Sequence, residues 1–358
     1  MNKTYIIAEI GVNHNGSIDT AKQLISIAKK AGVDAVKFQS FKAQKIVQAG
    51  AKKALYQVDK NNPQESQLEM LKALELSVEE HQKLITYCKE SKIQFLSTAF
   101  DLESLELLHS TFDLPLFKIA SGEITNAQLL FKIAQTQKPC ILSTGMCSLD
   151  EIKMALSILG FGYVSKKNQP EGLENVKAEF NNKSVQEALQ KNVTLLQCTT
   201  SYPTDFKDVN LLAMDTLYKE FGLSIGLSDH STGILASVAA VSRGACVIEK
   251  HITLSRDLKG PDHFASIEPD ELINMVKQIR DVELILGSDK KEIQDSELAN
   301  KNTSRKSLVA SAPIKAGERF SLNNLDCIRP GTGISAIYYW DYIGLEASKD
   351  YEEGELIQ

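Results

Sequence analysis

Residues 226–263 read GLSDHSTGILASVAAVSRGACVIEKHITLSRDLKGPDH, and this stretch decides how the rest of the chain is interpreted. His230 ends one short apolar run and His251 ends another, with a small-residue apolar segment of helical length between them. The pattern is that of a βαβ unit, whose two parallel strands end at the same edge of the sheet. The two imidazoles are therefore predicted to lie close together, at the strand ends where parallel α/β enzymes keep their sites.

Two neighbouring imidazoles suit a divalent transition metal whose remaining ligands are water or substrate oxygens. The alternative is that each histidine only caps its strand by a hydrogen bond. Three acidic residues stand beside the pair, and they favour a binding site: Asp229, Glu249 and Asp262.

The same alternation of strand and helix patterns extends outward over most of the chain. The predicted strands are nearly continuous apolar runs, as expected of strands covered on both faces, and they span 6–12, 35–40, 94–100, 115–121, 140–145, 193–199, 224–230 and 246–252. Each is followed by apolar residues at helical spacing. Eight such pairs predict an α/β fold, a (β/α)8 TIM barrel. A doubly wound sheet is the alternative, but residues 11–16, GVNHNG, are not the glycine-rich phosphate turn that such a sheet usually carries after its first strand.

Two insertions interrupt this rhythm. Residues 41–77 directly follow the end of the second strand, so we expect them to lie on the active face as a substrate lid. Residues 159–191 precede a strand, so we expect them on the opposite face of the barrel.

The chain is predicted to contain two domains joined by a linker. Residues 1–287 form the catalytic barrel, the charged and polar residues 288–303 form the linker, and residues 304–358 form a small β-rich domain with turn patterns at KAGE and RPGTG. So small a core is marginally stable alone. We therefore expect the small domain to dock on its own barrel or on a partner's.

Composition excludes several classes of protein. The 358 residues include 43% hydrophobic and 24% charged residues, which is ordinary for a globular protein. A formal net charge of −6 and the lack of a basic cluster argue against nucleic-acid binding. No apolar run approaches the ~20 residues that span a bilayer, and no signal-peptide pattern is found at the start. Six cysteines without a CxxC pair indicate reduced thiols and predict a cytoplasmic protein.

Polar residues at strand carboxyl ends are the candidates for chemistry in such a barrel. They are Glu9, Asn13, His14, Lys37, Gln39, Ser97, Thr98, Lys118, Ser121, Glu123, Ser143, Thr144, Thr199, Thr200, Tyr202, Ser228, Asp229, His230, Glu249 and His251. Two lysines within apolar strands, together with several hydroxyls, are suited to holding a phosphate.

Other readings of these residues remain open. Lys37 and Lys118 could instead form internal ion pairs with Glu9 or Glu123. Lys118 could form a Schiff base, although such an enzyme needs no metal. Cys198 could be a nucleophile with His230 as its base, although a small apolar cysteine in a strand is usually a packing residue.

Ten motifs, in this order, carry a family resemblance. They are AEIGVNHNG, VKFQSFKA, FLSTAFD, FKIASGE, ILSTGM, CTTSYPT, GLSDHS, IEKHIT, GPDH and RPGTGIS. Over nearly its whole length the chain resembles the sialic acid synthase family. The resemblance implies a (β/α)8 barrel followed by an antifreeze-like (SAF) domain, in a domain-swapped homodimer. It also implies condensation of phosphoenolpyruvate with an N-acetylated mannose-type aldose, giving a nine-carbon 2-keto acid and phosphate by C–O cleavage.

The resemblance also implies roles for individual residues. His230 and His251 are the implied metal ligands, for Mn²⁺ with Mg²⁺ or Co²⁺ as alternatives. The residues implied to hold phosphoenolpyruvate are Lys37, Thr98, Lys118, Ser121, Ser143 and Ser228. Those implied to face the sugar are Glu9, Gln39, Glu123, Tyr202 and Asp262. For proton transfer at the sugar or water, our own hypothesis is Glu123 or Glu9. Arg329 is implied to reach from the small domain of one protomer to the acyl-amino group of the sugar in its partner's barrel.

One residue departs from the family pattern, and it concerns phosphoenolpyruvate. In the neuraminate synthases an asparagine that contacts this substrate commonly stands where this chain has Thr200. A threonine hydroxyl can still donate a hydrogen bond.

The choice of sugar depends on the segment after the second strand. Its sequence, VKFQSFKA followed by AKKALYQ and ESQLEMLKALEL, resembles the legionaminate synthase branch. The expected aldose is then 2,4-diacetamido-2,4,6-trideoxy-mannose, and the Ala, Leu, Tyr, Gln and Met of this segment suit an additional acetamido group and a methyl group. N-acetylmannosamine is the alternative substrate, and a non-catalytic sugar-binding barrel is the alternative function. A synthase for phosphorylated sugars would need a further basic cluster, which the sequence lacks.

Overall fold

The computed structural model describes residues 3–53, 57, 64–165 and 169–358. The chain forms two compact units, Met1–Gly287 and Ser288–Gln358. No helix among the described residues has the length and apolar character needed to cross a membrane.

The first unit contains eight parallel strands that close into a barrel in sequence order, which confirms the predicted (β/α)8 fold. The strands are β1 (Tyr5–Gly11), β2 (Ala35–Ser40), β3 (Gln94–Ala99), β4 (Phe117–Ile119), β5 (Cys140–Ser143), β6 (Val193–Cys198), β7 (Ser224–Asp229) and β8 (Val247–His251). All eight predicted strands are found. Strand β4 is two residues shorter at each end than the predicted 115–121, and β5 ends two residues before the predicted 145.

Thirteen α-helices are described in this unit. They are α1 (Ile18–Ala31), α2 (Ala43–Ile46), α3 (Gln67–Lys72), α4 (Val78–Glu90), α5 (Leu102–Glu106), α6 (Ala127–Gln135), α7 (Leu149–Val164), α8 (Leu173–Glu179), α9 (Lys183–Asn192), α10 (Phe206–Val209), α11 (Ala213–Phe221), α12 (Leu235–Ser242) and α13 (Pro269–Leu286). The described part of this unit also contains a π-helical turn, Leu107–Thr111, and the 3-10 turns Ser121–Glu123 and His263–Ala265.

Local sequence explains where the helices start and stop, as α1 illustrates. The Ser17 side chain accepts a hydrogen bond from the Thr20 backbone N–H, and Gly32 ends the helix at φ 83°, a backbone conformation that favours glycine. Between these ends, residues such as Leu24, Ile25 and Ala28 recur at helical spacing and are buried against the sheet.

The barrel has two apolar layers, one outside the sheet and one inside it. The outer layer packs the helices against the strands. The inner layer fills the lower part of the barrel and consists mainly of Ile7, Ala35, Leu96, Ile141, Leu196 and Val247. Because this inner layer closes the barrel from below, polar side chains above it can form a cavity open only at the carboxyl ends of the strands.

The first insertion lies where it was predicted, over the carboxyl end of β2. It contains α2 and α3, and its Phe41, Met70 and Leu74 pack together with Val12, which follows β1. The Ala, Leu and Tyr at positions 54–56, part of the predicted sugar-contacting composition, lie outside the described residues.

The second insertion begins later than predicted, because α7 continues to Val164. Its two helices, α8 and α9, bury Val176, Val185 and Leu189. Helix α9 ends at Asn192 and β6 begins at the next residue, Val193, so the segment leads into the amino-terminal edge of the barrel.

The second unit is small and only partly β-structured. It contains α14 (Asp295–Ser304), an antiparallel pair of strands β9 (Ser307–Ala310) and β10 (Leu325–Ile328), a 3-10 turn (Ala336–Tyr338) and α15 (Tyr339–Tyr342). Its core contains Leu308, Ala310, Ile314, Phe320, Leu325, Ala347, Tyr351 and Ile357. The predicted linker 288–303 holds most of α14, which buries none of its residues and so has no apolar period in the sequence.

Candidate active site

A cavity of about 450 Å³ occupies the carboxyl-terminal mouth of the barrel. This volume is within the range of small-molecule sites. The residues of the first unit to which the sequence analysis gave a role in metal or substrate binding all line it, and they are Glu9, Lys37, Gln39, Thr98, Lys118, Ser121, Glu123, Ser143, Thr200, Tyr202, Ser228, His230, His251 and Asp262. Arg329 belongs to the second unit, where its Nε donates to the Ser304 carbonyl at 3.0 Å.

Strand alternation places these side chains. In β2, Lys37 and Gln39 line the cavity, while Phe38 between them packs in the outer apolar layer. In β8, Glu249 and His251 line the cavity in the same way. The polar residues at alternate positions of these apolar strands therefore all face the mouth.

Four buried charged groups form a chain across the floor of this cavity. The Lys37 ammonium lies 2.7 Å from Oε2 of Glu9 and 3.7 Å from Oε2 of Glu249. The Lys118 ammonium lies 3.6 Å from Oε1 of Glu249. Each lysine side chain is at most 5% exposed. The alternative of internal ion pairs is thus found in the ligand-free site, for Lys37 with Glu9, whereas Lys118 pairs with Glu249 and not with Glu9 or Glu123.

Hydroxyl groups complete the surroundings of both ammonium groups. Lys37 donates to Oγ1 of Thr98 at 3.1 Å, and Lys118 donates to Oγ of Ser143 at 2.7 Å. Ser228 donates to Oε1 of Glu249 at 3.0 Å. Two cations with convergent hydroxyls are a suitable set for a phosphate and a carboxylate.

The two floor carboxyls differ in their protonation. Burial raises the pKa of Glu9 to about 7, against the opposing effect of Lys37, and the nearby Glu249 adds to the increase. Burial also favours the neutral form of Glu249, but Lys118 and Lys37 outweigh it and lower the pKa of that carboxyl. Glu9 is therefore the floor carboxyl that can exchange a proton near neutral pH, and Glu249 stays ionised.

The pKa values of the two lysines are shifted in opposite directions. Burial acts to lower the pKa of Lys37, but Glu249 and Glu9 together raise it above the ordinary value. For Lys118, burial dominates over Glu249 and lowers the pKa. Lys37 is thus the more firmly charged group in the ligand-free site.

The histidine pair stands beside this floor. The ring centroids of His230 and His251 are 5.4 Å apart, and the Tyr202 ring lies 4.1 Å from that of His230. Nδ1 of His230 donates to the Thr199 carbonyl at 2.8 Å, so the lone pair is on Nε2 whenever the ring is neutral. Burial acts to lower the pKa of His230, but Cys198, the Thr199 carbonyl and Glu249 together raise it, so a cation would have to displace the proton from Nε2. The two imidazoles therefore meet at one mouth, as the sequence predicted.

His251 has an unusual environment. Its Nδ1 is buried and has no hydrogen-bond partner among the described residues, and the nearest carboxylate oxygen is Oδ2 of Asp262 at 3.7 Å. Burial, followed by the charges of His230 and Lys37, keeps the pKa of His251 well below its usual range. The ring is thus neutral, with an unused nitrogen.

These donors fit a divalent cation. Two neutral imidazole nitrogens are typical ligands for such an ion, and the unpartnered Nδ1 of His251 is a polar atom that lacks its usual partner. Among the described residues, no group of three or more His, Cys, Asp or Glu side chains has metal-binding geometry. The remaining ligands would be water or substrate oxygens, as expected from the sequence.

Glu249 is the site residue to which the sequence analysis assigned no role. It lies two residues before His251 in the same strand, so alternation places both on the same side. Asp229 shows the converse, because it lies one residue before His230 and points away from the cavity. The expectation that Asp229 belongs to the site is therefore not met by the structure.

Five other strand-end candidates do not line the cavity. The hydroxyls of Ser97, Thr144 and Thr199 bond to the Ser40 hydroxyl, the Leu196 carbonyl and the Asp208 carbonyl. Asn13 and His14 lie behind the mouth. Asn13 donates to the Ile252 carbonyl at 2.8 Å and to Ser266, and Nδ1 of His14 accepts from the Gly16 N–H at 3.0 Å. Their side chains hold the loop after β1 in place.

Cys198 lines the cavity, and its Sγ lies 3.8 Å from Nδ1 of His230. That nitrogen already donates to the Thr199 carbonyl, so it has no lone pair with which to act as a base. The arrangement does not favour the cysteine-nucleophile alternative.

Comparison with known protein families matches both units. The NeuB family model matches residues 24–291, and the SAF domain model matches residues 305–358. These matches confirm the family resemblance and the domain types inferred from the sequence motifs.

Individual relatives agree with this assignment. The chain is 49% identical over 358 residues to an N,N'-diacetyllegionaminic acid synthase of Campylobacter jejuni, covering 100% of both proteins. It is 43% identical to the synthase of the same name from Legionella pneumophila, covering 98% of this chain and 92% of the relative. Among solved structures it is similar to an N-acetylneuraminic acid synthetase of Leptospira borgpetersenii, with 32% identity, a TM-score of 0.68, and coverage of 84% of this chain and 90% of the other.

Proposed function

The chain belongs to the NeuB family, and we propose that it condenses phosphoenolpyruvate with 2,4-diacetamido-2,4,6-trideoxy-mannose to form N,N'-diacetyllegionaminic acid and phosphate. The observation that carries this proposal is the meeting of two buried ammonium groups and two imidazoles in one barrel mouth. The choice of product is supported by the sequence identity to two synthases of that name, 49% and 43%, over 100% and 98% of this chain.

The two lysines hold the anionic substrate. In the ligand-free site, Glu9 and Glu249 neutralise Lys37 and Lys118. A phosphate or carboxylate oxygen that enters between the lysines replaces part of this pairing and also accepts hydrogen bonds from the surrounding hydroxyls. These hydroxyls belong to Thr98, Ser121, Ser143 and Ser228.

The bond changes follow from this placement. Carbon 3 of phosphoenolpyruvate forms a bond to the aldehyde carbon of the open-chain sugar, water adds at carbon 2, and phosphate leaves as its bond to carbon 2 breaks. The lysine ammonium groups stabilise the negative charge that develops on the phosphate. Glu9, whose pKa of about 7 allows either protonation state near neutrality, exchanges the proton of the sugar or water oxygen.

His230 and His251 would hold a divalent cation, Mn²⁺ in our proposal, with Mg²⁺ or Co²⁺ as alternatives. When bound, such an ion polarises a carbonyl oxygen as a Lewis acid. The Thr199 carbonyl sets the tautomer of His230, and the Tyr202 ring packs against it and holds its orientation. Asp262 is the nearest carboxylate to the free nitrogen of His251.

The decisive test compares two aldoses with the purified full-length protein. Phosphate release and the mass of the nine-carbon product are measured with phosphoenolpyruvate and either the diacetamido sugar or N-acetylmannosamine. We expect the diacetamido sugar to be preferred. A preference for N-acetylmannosamine would reassign the enzyme as a neuraminate synthase, and absence of sugar-dependent phosphate release after metal add-back would leave only a sugar-binding barrel.

C–O cleavage has its own isotope test. Phosphoenolpyruvate labelled with ¹⁸O at the bridging oxygen should deliver the label to the released phosphate. Label retained in the sugar acid would show that the P–O bond breaks instead.

We also propose that the protein acts as a domain-swapped homodimer. Both units carry exposed large apolar side chains, which are typical of interaction sites. In the barrel these include Met146, Phe206 and Phe264, which follow strand carboxyl ends, and in the second unit they include Ile337 and Trp340. Light scattering should give twice the 39.5 kDa chain mass.

Mixing two inactive variants tests the exchange of domains. An Arg329→Ala chain keeps an intact barrel, and a His251→Asn chain keeps an intact second unit. Co-expression should restore activity if Arg329 serves the partner's barrel. Activity no higher than that of either variant alone would contradict the exchange. Separately, we propose from the cysteine pattern that the protein is located in the cytoplasm.

A further inference from the structure

The cavity at the barrel mouth has two chemically different sides. Its floor carries the buried ammonium and carboxylate chain, which includes Lys37, Glu249 and Lys118. A separate apolar cluster, which we name the apolar wall, also borders the cavity. The apolar wall consists of Val12, Ile46, Phe41, Met70, Leu71, Leu74 and Phe100, and all seven line the cavity.

The apolar wall stands on one side of the mouth. Val12, Phe41 and Phe100 directly follow β1, β2 and β3, and the others come from α2, α3 and the turn after α3. In a closed barrel of eight strands, β2 and β3 stand opposite β6 and β7. The wall therefore faces the side that carries Thr200 and His230 across the cavity.

The apolar wall is anchored from several directions before any ligand binds. Asp101 accepts from the Lys42 backbone N–H at 2.9 Å, which holds the start of the segment. At its other end, Gly16 at φ 74° lets the loop after β1 approach the Ala73 carbonyl, where a Cβ would lie only 2.9 Å from that oxygen. The Phe41 and Phe100 rings pack edge to face at 6.3 Å. Such a preorganised wall can select ligands by shape and polarity.

The orientation of the sugar follows from the reaction. The aldehyde carbon has to meet phosphoenolpyruvate at the charged floor, so the opposite end of the open chain, carbon 6, points away from the floor. We infer that the apolar wall receives carbon 6 of the aldose and selects a methyl group there over a hydroxymethyl group. The inference rests on the proposed function, because it assumes that an aldose reacts at this floor.

The physical basis is the cost of burying a hydroxyl without a partner. The seven side chains of the wall contain no nitrogen or oxygen, and the Met70 thioether is only a weak acceptor. A hydroxyl at carbon 6 that packs against these side chains would lose its water and gain no hydrogen bond from them. The polar lining residue of the same helix, Gln67, is at the first position of α3, beyond the seven residues of the wall. An apolar pocket discriminates against such an added hydroxyl by about 100-fold at most.

The experiment uses two sugars that differ by one atom. The full-length protein is assayed with 2,4-diacetamido-2,4,6-trideoxy-mannose and with its 6-hydroxy counterpart, and kcat/KM is measured from phosphate release. We expect a preference of about 10- to 100-fold for the 6-deoxy sugar. Equal use of both sugars would overturn the inference and leave the proposed synthase function standing. Turnover of neither sugar would overturn the proposed function, and the inference with it.

Paired variants then assign the preference to the wall. Met70→Gln keeps the length of the side chain and adds an amide, so the preference should fall at least about fivefold. Met70→Leu keeps the wall apolar, so the preference ratio should stay close to that of the parent. Leu71→Asn provides a second test if circular dichroism shows that Met70→Gln does not fold. An unchanged ratio in a folded polar variant would contradict the assignment.

Discussion

Asp229 and Lys250 form an ion pair, with 3.0 Å between Oδ2 and Nζ, in which neither side chain has any exposed area. The two residues pair in register on β7 and β8, and each directly precedes a histidine of the site. Asp229 also accepts from Ser237 of α12, so the pair lies on the helix-facing side of the barrel. It joins the two strands immediately behind His230 and His251.

Removing one member of this pair should destabilise the protein strongly. Lys250→Met leaves the Asp229 carboxylate buried without its cation, and we expect the free energy of unfolding to fall by about 3–5 kcal/mol. Urea denaturation followed by circular dichroism measures the change. The exposed pair of Lys349 and Glu355 is the control, since Lys349→Met should leave the midpoint unchanged. A parental midpoint for Lys250→Met would contradict the argument.

Lys118→Met should weaken the handling of phosphoenolpyruvate. The variant removes one of two cations from the phosphate site and leaves Lys37 in place. We expect kcat/KM for phosphoenolpyruvate to fall by about 100- to 1,000-fold, the usual effect of losing a charge-stabilising donor. Lys315→Met, in the exposed pair with Asp350, is the matched control. A loss of less than about threefold would show that Lys118 does not contact the substrate.

The pH dependence of kcat/KM should report the ionisation of the Glu9 carboxyl. Burial raises its pKa to about 7, so the carboxyl is protonated below that pH and ionised above it. If the ionised form accepts the proton, kcat/KM rises with pH and levels off above about 7. Glu9→Gln should abolish turnover.

Two other carboxyls serve as comparisons for this profile. The pKa of Asp262 is raised to about 6, mainly by burial, and that of Glu123 is raised by burial against its hydrogen bond from Asn126. The Asp262→Asn variant should keep the rise of kcat/KM that levels off near pH 7. The Glu123→Gln variant should keep substantial turnover. Full turnover by Glu9→Gln, or loss of the rise of kcat/KM near pH 7 in Asp262→Asn, would show that Glu9 is not the proton acceptor.

Cation binding should depend on both histidines. We expect His230→Asn and His251→Asn each to lower Mn²⁺ affinity more than about 100-fold, because loss of a supporting partner alone already costs 10- to 100-fold. Electron paramagnetic resonance of free Mn²⁺, with no substrate present, measures this directly. His109→Asn, on the π-helical turn away from the cavity, should bind like the parent. Activity lost in EDTA should return with Mn²⁺, and parental binding by either site variant would exclude that histidine as a ligand.

Thr200 should contribute to phosphoenolpyruvate binding. Its Oγ1 is buried at the cavity and has no hydrogen-bond partner among the described residues. Thr200→Val keeps the shape but removes the donor, so KM for phosphoenolpyruvate should rise about tenfold with little change in kcat. Thr200→Ser should retain the parental KM. Equal KM values for the valine and serine variants would show that the hydroxyl is not used.

Much of the site could be predicted because strand alternation is a local property. Residues two apart in a strand share a face, so Lys37 and Gln39 could be assigned to the mouth once the strand was recognised. The same rule also separates Glu249 from Lys250, and applying it strictly identifies Glu249 as a site residue and Asp229 as a structural one. The helix in the predicted linker, α14, could not be found in this way because it buries no residue.

The sequence by itself determined the barrel, the family and most of the side chains at its mouth, because each depends on short-range periodicity and on motifs that can be read along the chain. Only the tertiary structure decided that Lys118 pairs with Glu249, that Nδ1 of His251 lacks a partner, and that an apolar wall stands opposite His230. These features depend on distances of a few ångströms between strands that are far apart in sequence. Ion pairing, hydrogen bonding and desolvation all change steeply over such distances, so the closed barrel had to be known before they could be assigned.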